Sequence, residues 1–68
     1  MKSYKALAIL ETLQRHRDWL LAKEIAAIMS QNGIAISSLQ VAGIIRCQLD
    51  KEIEAKRLTQ NVIIYRLK

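Results

Sequence analysis

The sequence predicts a single, mainly α-helical domain with a small β-hairpin at its C-terminal end. Apolar residues recur at helical spacing through three segments before residue 50. In residues 62–67, Ile63, Tyr65 and Leu67 instead share one face of an extended chain, a period typical of a strand. The chain has 68 residues, of which 51% are hydrophobic, so residues 1–68 can build one core and no more.

The first helix is expected at residues 3–16, with Ser3 as its N-cap. The second is expected at residues 22–31, and Gln31-Asn32-Gly33 should end it because Asn and Gly tolerate positive φ. Residues 19–21 fit two interpretations, an earlier start of this helix capped by Asp18 or a short extended segment. The predicted core faces of the two helices contain Ala6, Ile9, Leu10 and Leu13, and Ala22, Ile25, Ala26 and Met29.

The third helix is expected at residues 38–50, with Ser37 as its N-cap. Its buried stripe should be Val41, Ala42, Ile45 and Leu49, with Leu39, Gln40, Gly43, Arg46 and Asp50 roughly opposite. Strands are expected at 53–57 and 62–67, joined by a turn at residues 59–61, and Trp19-Leu20 offers a short third strand. The hairpin should cover the helices with Ile53, Ala55, Ile63, Tyr65 and Leu67.

The net charge is +5 and lies at the two ends of the chain. Residues 1–17 and 46–68 each carry +3, whereas residues 18–45 carry −1. Such a balance favours a polyanionic partner such as nucleic acid, and an ordinary charged surface explains it equally well.

Catalytic and metal-binding patterns are missing from the sequence. His16 lies between two arginines and is expected to be a solvated helix-end residue, and Cys47 is expected to be half-buried. One His and one Cys do not make a zinc site, so we expect neither an enzyme nor a cofactor. A single cysteine, no membrane-length apolar run and no signal-peptide pattern predict a cytoplasmic protein without a membrane partner.

Three short motifs and their order resemble the winged helix-turn-helix superfamily over almost the whole chain. They are Ile9-Leu10-Glu11-Thr12-Leu13, then Leu20-Leu21-Ala22-Lys23-Glu24-Ile25-Ala26, and Tyr65-Arg66-Leu67 at the end of the strand pair. The resemblance implies a three-helix core with a C-terminal wing, as in small single-domain regulators of bacterial or phage type.

The resemblance also implies a DNA-binding protein, such as a transcriptional regulator or accessory factor, that acts on double-stranded DNA, alone or as a homodimer. Helix 37–50 would read bases and hairpin 53–67 would lie along the backbone as the wing. The residues implied are Ser37, Ser38, Gln40 and Arg46 for the helix, and Lys56, Arg57, Gln60 and Asn61 for the wing.

Two features depart from the family pattern and keep a second interpretation open. The turn at residues 30–36 is longer than the tight family turn, and the third helix has few bases. The second interpretation is a protein-interaction module. In that case Leu39, with the small residues Ala42 and Gly43 beside it, would contact a partner protein through helix 37–50.

Overall fold

A computed structural model describes residues 2–68 as three helices and a three-stranded antiparallel sheet. The order along the chain is α1 (Tyr4–Arg15), β1 (Leu20–Leu21), α2 (Ala22–Gln31), α3 (Ser38–Gln48), β2 (Ile53–Thr59) and β3 (Val62–Leu67). In the sheet β3 is central, with β1 and β2 on either side. The chain is therefore a small mixed α/β domain, and the short third strand that the sequence offered at Trp19-Leu20 is present one residue later, at Leu20–Leu21.

The two ends of α1 differ from the predicted range by one residue each. Ser3 is its N-cap, and the Ser3 hydroxyl accepts a hydrogen bond from the Ala6 amide at 3.2 Å. His16 is the C-cap and is exposed, which confirms its expected place at a solvated helix end.

The segment before α2 is extended, so the interpretation in which Asp18 caps a helix starting at Trp19 is wrong. Leu20 pairs with Tyr65, and Leu21 pairs with Ile64. The Asp18 carboxylate accepts instead from the neighbouring Trp19 amide at 2.8 Å. The extended conformation is favoured because the backbone groups of Leu20 and Leu21 pair with the edge of β3 that β2 leaves free. The Glu24 carboxylate then accepts from the Leu21 amide at 2.8 Å and stabilises the start of α2.

The stop predicted at Gln31-Asn32-Gly33 is confirmed and has the geometry of a Schellman motif. Gly33 has φ +85°, its amide donates to the Ser30 carbonyl at 3.0 Å, and the Ile34 amide donates to the Met29 carbonyl at 2.9 Å. These two bonds satisfy carbonyls that would otherwise lack partners at the end of α2.

Helix α3 ends two residues before its predicted limit at residue 50. Leu49 is the C-cap and is fully buried, and its carbonyl accepts from the Glu52 and Ile53 amides. These bonds turn the chain directly from α3 into β2. No glycine or proline follows Gly43, so the local sequence has no stop signal there, and the helix ends where the turn into β2 begins.

The β2–β3 hairpin, residues 53–67, is longer and tighter than predicted. Strand β2 continues through Thr59, which pairs with Val62, so the turn itself is only Gln60-Asn61. A β-bulge between Arg57 and Thr59 places Leu58 out of the regular pairing.

The core lies between the helices and the face of the sheet that carries Tyr65. Most expected members of the core faces are confirmed, but Ala42 is only half-buried and Ala55 is exposed. Both small side chains line an open groove between α3 and the hairpin, where nothing covers them. The buried apolar residues are Ala6, Ile9, Leu13, Ile25, Ala26, Met29, Val41, Ile45, Leu49, Ile53 and Tyr65.

Candidate nucleic-acid interface

The first turn of α3 uses two of the proposed base-reading side chains to cap the helix. The Ser37 hydroxyl accepts from the Gln40 amide at 3.2 Å, and the Gln40 side-chain oxygen accepts from the Ser37 amide at 3.0 Å. This reciprocal pair is a capping box. A Gln40 amide oxygen committed to the backbone is not free for the bidentate contact with adenine that an unengaged glutamine makes.

The rest of the outward face of α3 is short of polar groups. Leu39 is 84% exposed, Ser38 and Arg46 are exposed, and Gly43 is half-buried. Cys47 is exposed, so its predicted half-burial is wrong, because it lies on the face of α3 turned away from the core. Since residues 25–45 contain no charged side chain, Arg46 is the only base within α3.

The hairpin separates the two bases that the sequence places side by side. Successive residues of a strand point to opposite faces, and Arg57 pairs with Ile63 whereas Lys56 pairs with Ile64. Arg57 therefore lies on the sheet face of Ile63 and Tyr65, toward α3, and Lys56 lies on the opposite face. Both are exposed, and they reach the two sides of the hairpin rather than one.

An open groove runs between α3 and the hairpin, and we call it the α3–hairpin groove. Its two parts, of about 390 Å³ and about 500 Å³, share the lining residues Ala42, Ile63 and Tyr65. At one end Ser38 and Asn61 line the groove together, so the start of α3 and the hairpin turn face one another. At the other end lie Arg46 and Lys68, accompanied by Asp50 and Glu54.

The cations of the described residues differ in whether they have a carboxylate partner. Arg66 donates to Glu54 at 3.1 Å and its guanidinium lies 4.4 Å above the Trp19 ring, which occupies Arg66 in holding the sheet together. Among residues 2–68 the other salt bridges are Lys2–Glu52 and Arg15–Glu11. Five cations that line the α3–hairpin groove or belong to the hairpin form no salt bridge with a described carboxylate, namely Lys23, Arg46, Lys56, Arg57 and Lys68.

The structure thus brings together only part of the site proposed from the sequence. Ser38 and Asn61 meet across the groove and Arg46 lies farther along it. Arg57 lies on the sheet face of Ile63 and Tyr65 but does not line the groove. Lys56 lies on the other side of the hairpin, and Gln60 is exposed in the turn. Ser37 and Gln40 are at the N-terminal end of α3, and their side chains accept hydrogen bonds from each other's backbone amides.

Two residues of this surface were absent from the proposed DNA-binding set. Lys23, in the first turn of α2, lines the groove beside Ser38 and Asn61. Lys23 belongs to the second sequence motif and lies in the first turn of α2. In a helix-turn-helix the helix before the recognition helix crosses the DNA backbone, so a base at this position could have been predicted to contact phosphate. Leu39, considered above only for a protein partner, lies at the same end.

The described residues contain no group of three or more His, Cys, Asp or Glu side chains that could hold a metal ion. None of the helices within residues 2–68 has both the length and the apolar character needed to cross a membrane.

No protein-family model matches the sequence, and neither a curated protein nor a solved structure matches it significantly. The site is therefore defined by its own geometry, an apolar groove between α3 and a hairpin whose exposed cations flank it.

Proposed function

We propose that the chain is a winged-helix protein that binds double-stranded DNA as a regulator or accessory factor. The order of elements supports this proposal, since three helices are followed by a hairpin, and a short strand before α2 completes the sheet. In the proposed complex α3 lies in the major groove, and the hairpin is the wing that follows the phosphate backbone.

The observation that carries the proposal is the charge of the hairpin beside α3. Residues 55–68 contain four bases and no acid. Lys56 and Arg57 are exposed and form no salt bridge with any described carboxylate. Phosphate contacts supply most of the affinity of a non-specific complex. Unpaired cations on both sides of a hairpin are therefore better suited to contact the phosphates of the DNA backbone than to contact base edges.

Salt dependence of binding tests the proposal directly. Fluorescence anisotropy with a random-sequence duplex should show binding at ~50 mM salt and a steep loss of affinity by ~200 mM, with a log–log slope near −0.9 for each phosphate contacted. Absence of binding at the lower salt concentration would contradict the proposal.

The double variant Lys56→Glu/Arg57→Glu should remove the contribution of the hairpin. We expect the salt slope to become shallower by about 2 and the affinity at low salt to fall at least tenfold. The matched control is Arg17→Glu/Lys51→Glu, which changes the net charge equally at two exposed residues that do not line the α3–hairpin groove. If both double variants lose affinity equally, the binding reflects total charge and not the hairpin.

A second candidate function is a protein-interaction module, and the exposure of Leu39 favours it. A leucine that is 84% exposed stands at the edge of a groove whose floor is Ala42, Ile63 and Tyr65. Apolar grooves of this kind accept a helix of a partner protein, including a second copy of the chain.

The two candidates differ in their response to the Lys56/Arg57 charge reversal. Leu39→Asp should abolish a protein complex or a homodimer, measured by light scattering or by co-purification after nuclease treatment, while the Lys56/Arg57 charge reversal should leave it intact. The reverse result, a complex lost on charge reversal and retained in Leu39→Asp, would exclude the groove as a protein-docking site.

A further inference from the structure

The outward face of α3 offers a DNA base almost nothing except apolar surface. Ser37 and Gln40 are bound to each other in the capping box, and no charged residue precedes Arg46 in α3. What remains at the N-terminal end, where recognition helices contact bases, is Ser38 and the exposed Leu39.

Gly43, one turn beyond Leu39, extends this apolar surface. A Cβ at Gly43 would meet no atom within 4 Å, so packing inside the molecule does not require a glycine there. Glycine in a helix interior is destabilising, and the half-buried Gly43, beside the exposed Leu39, lets another surface approach the α3 backbone. The surface beside Leu39 is therefore apolar, and no side chain protrudes from it at Gly43.

The most prominent apolar group in the major groove is the 5-methyl group of thymine. Guanine, cytosine and adenine present donors and acceptors there, for which Leu39 and Gly43 have no partner group. The unpaired cations Lys23 and Arg57, on the same side of the molecule as this face of α3, supply the charge complementarity that holds the helix against a polyanion.

We infer, resting on the proposed function, that α3 selects DNA by contact of Leu39 with thymine methyl groups. The predicted targets are sites with thymine opposite the first turn of α3. Hydrogen-bonded readout by Gln40 is not required.

The test uses duplexes that differ only in this methyl group. Alternating A·T duplexes are compared with the same duplexes containing deoxyuridine, which lacks the methyl. Alternating G·C duplexes are compared with the same duplexes containing 5-methylcytosine, which carries a methyl at the equivalent position. Removing the methyl should weaken binding about fourfold for each methyl that Leu39 covers, and adding it to cytosine should strengthen binding by a similar factor.

Two leucine variants assign the effect to its side chain. Leu39→Ala should bring both affinity ratios close to one. Leu7→Ala, at a leucine that is 54% exposed in α1 and lies outside both α3 and the hairpin, should leave both ratios as in the unsubstituted protein. Circular dichroism melting of each variant checks that the fold persists, which we expect because both side chains are exposed.

The other outcomes each overturn the inference. Equal affinity for thymine and uracil duplexes shows that no methyl is contacted, while DNA binding itself stands. A thymine preference without a 5-methylcytosine gain shows that binding depends on the base pair that carries the methyl group and not on contact with the methyl group alone. A preference that survives in Leu39→Ala assigns the contact to another residue, and absence of binding to every duplex at low salt overturns the proposed function as well.

Discussion

At the scale of single residues, the same side chains are suited to capping and to recognition. Serine and glutamine are favoured at the start of a helix because they satisfy free amides, and they are also able to hydrogen-bond base edges. In this chain Ser37 and Gln40 complete a capping box. Ser38, the next residue, makes no hydrogen bond of this kind and lines the α3–hairpin groove.

Replacing the cap should therefore affect stability far more than replacing its neighbour. We expect Ser37→Ala to lower the free energy of unfolding by about 1 kcal/mol, because the Gln40 amide loses its acceptor. Ser38→Ala should change it by less than about 0.5 kcal/mol, as is usual for an exposed position. Urea unfolding of the two variants makes the comparison, and equal losses would show that the capping box does not stabilise α3.

At the scale of elements, the two glycines have opposite roles. Gly33 ends α2 with a positive φ, which a side chain adopts only with strain. Gly43 lies inside α3 with ordinary helical geometry and open space where a Cβ would be. The helix stop is thus required by the backbone, whereas the glycine in α3 is not.

Alanine substitution should separate these roles by the sign of its effect. Gly33→Ala should destabilise the protein by about 1 kcal/mol, because a residue with a Cβ must enter the left-handed region. Gly43→Ala should stabilise it by about 0.5–1 kcal/mol through helix propensity. Thermal melts monitored at a helix wavelength provide the measurement. A destabilised Gly43→Ala variant would mean that its Cβ meets a neighbour after all.

The bounds of the helices could be predicted from the local sequence pattern, whereas the bounds of two strands could not. Each helix was predicted within two residues at either end, because caps and stops are encoded by neighbours in the chain. Strand β1 and the extension of β2 to Thr59 depend on pairing with β3. A two-residue strand has no periodicity of its own, so only the partner strand decides it.

At the scale of the whole molecule, the N-terminal segment is joined to the distant end of α3. The Lys2 ammonium lies 2.9 Å from the Glu52 carboxylate, and the Ser3 amide donates to the Gln48 side chain at 2.9 Å. These contacts link residues far apart in sequence across the α3–β2 turn. The hydrogen bond from Lys2, aided by its charge, holds the pKa of Glu52 below its ordinary value.

This ion pair predicts a specific pH dependence. Folding lowers the pKa of Glu52, so the pair stabilises the folded state above the ordinary glutamate pKa and is lost as the pH falls through the lowered value. In Lys2→Gln the pKa of Glu52 should rise toward its ordinary value, and added salt should produce a smaller change of the same sign because the pair is partly exposed. NMR titration of the Glu52 carboxylate measures both, and an unchanged pKa in Lys2→Gln would show that the pair does not form in solution.

The amino-acid sequence by itself determined the three helices, the terminal strands and most of the core, because these follow from local spacing and caps. The tertiary structure alone decided which candidate residues share a surface. It engaged Ser37 and Gln40 in the capping box, tied Arg66 to Glu54 and Trp19, and placed Lys56 and Arg57 on opposite faces. The physical reason is that strand register and side-chain pairing join residues distant in sequence, and no local pattern encodes which partner a polar side chain will take.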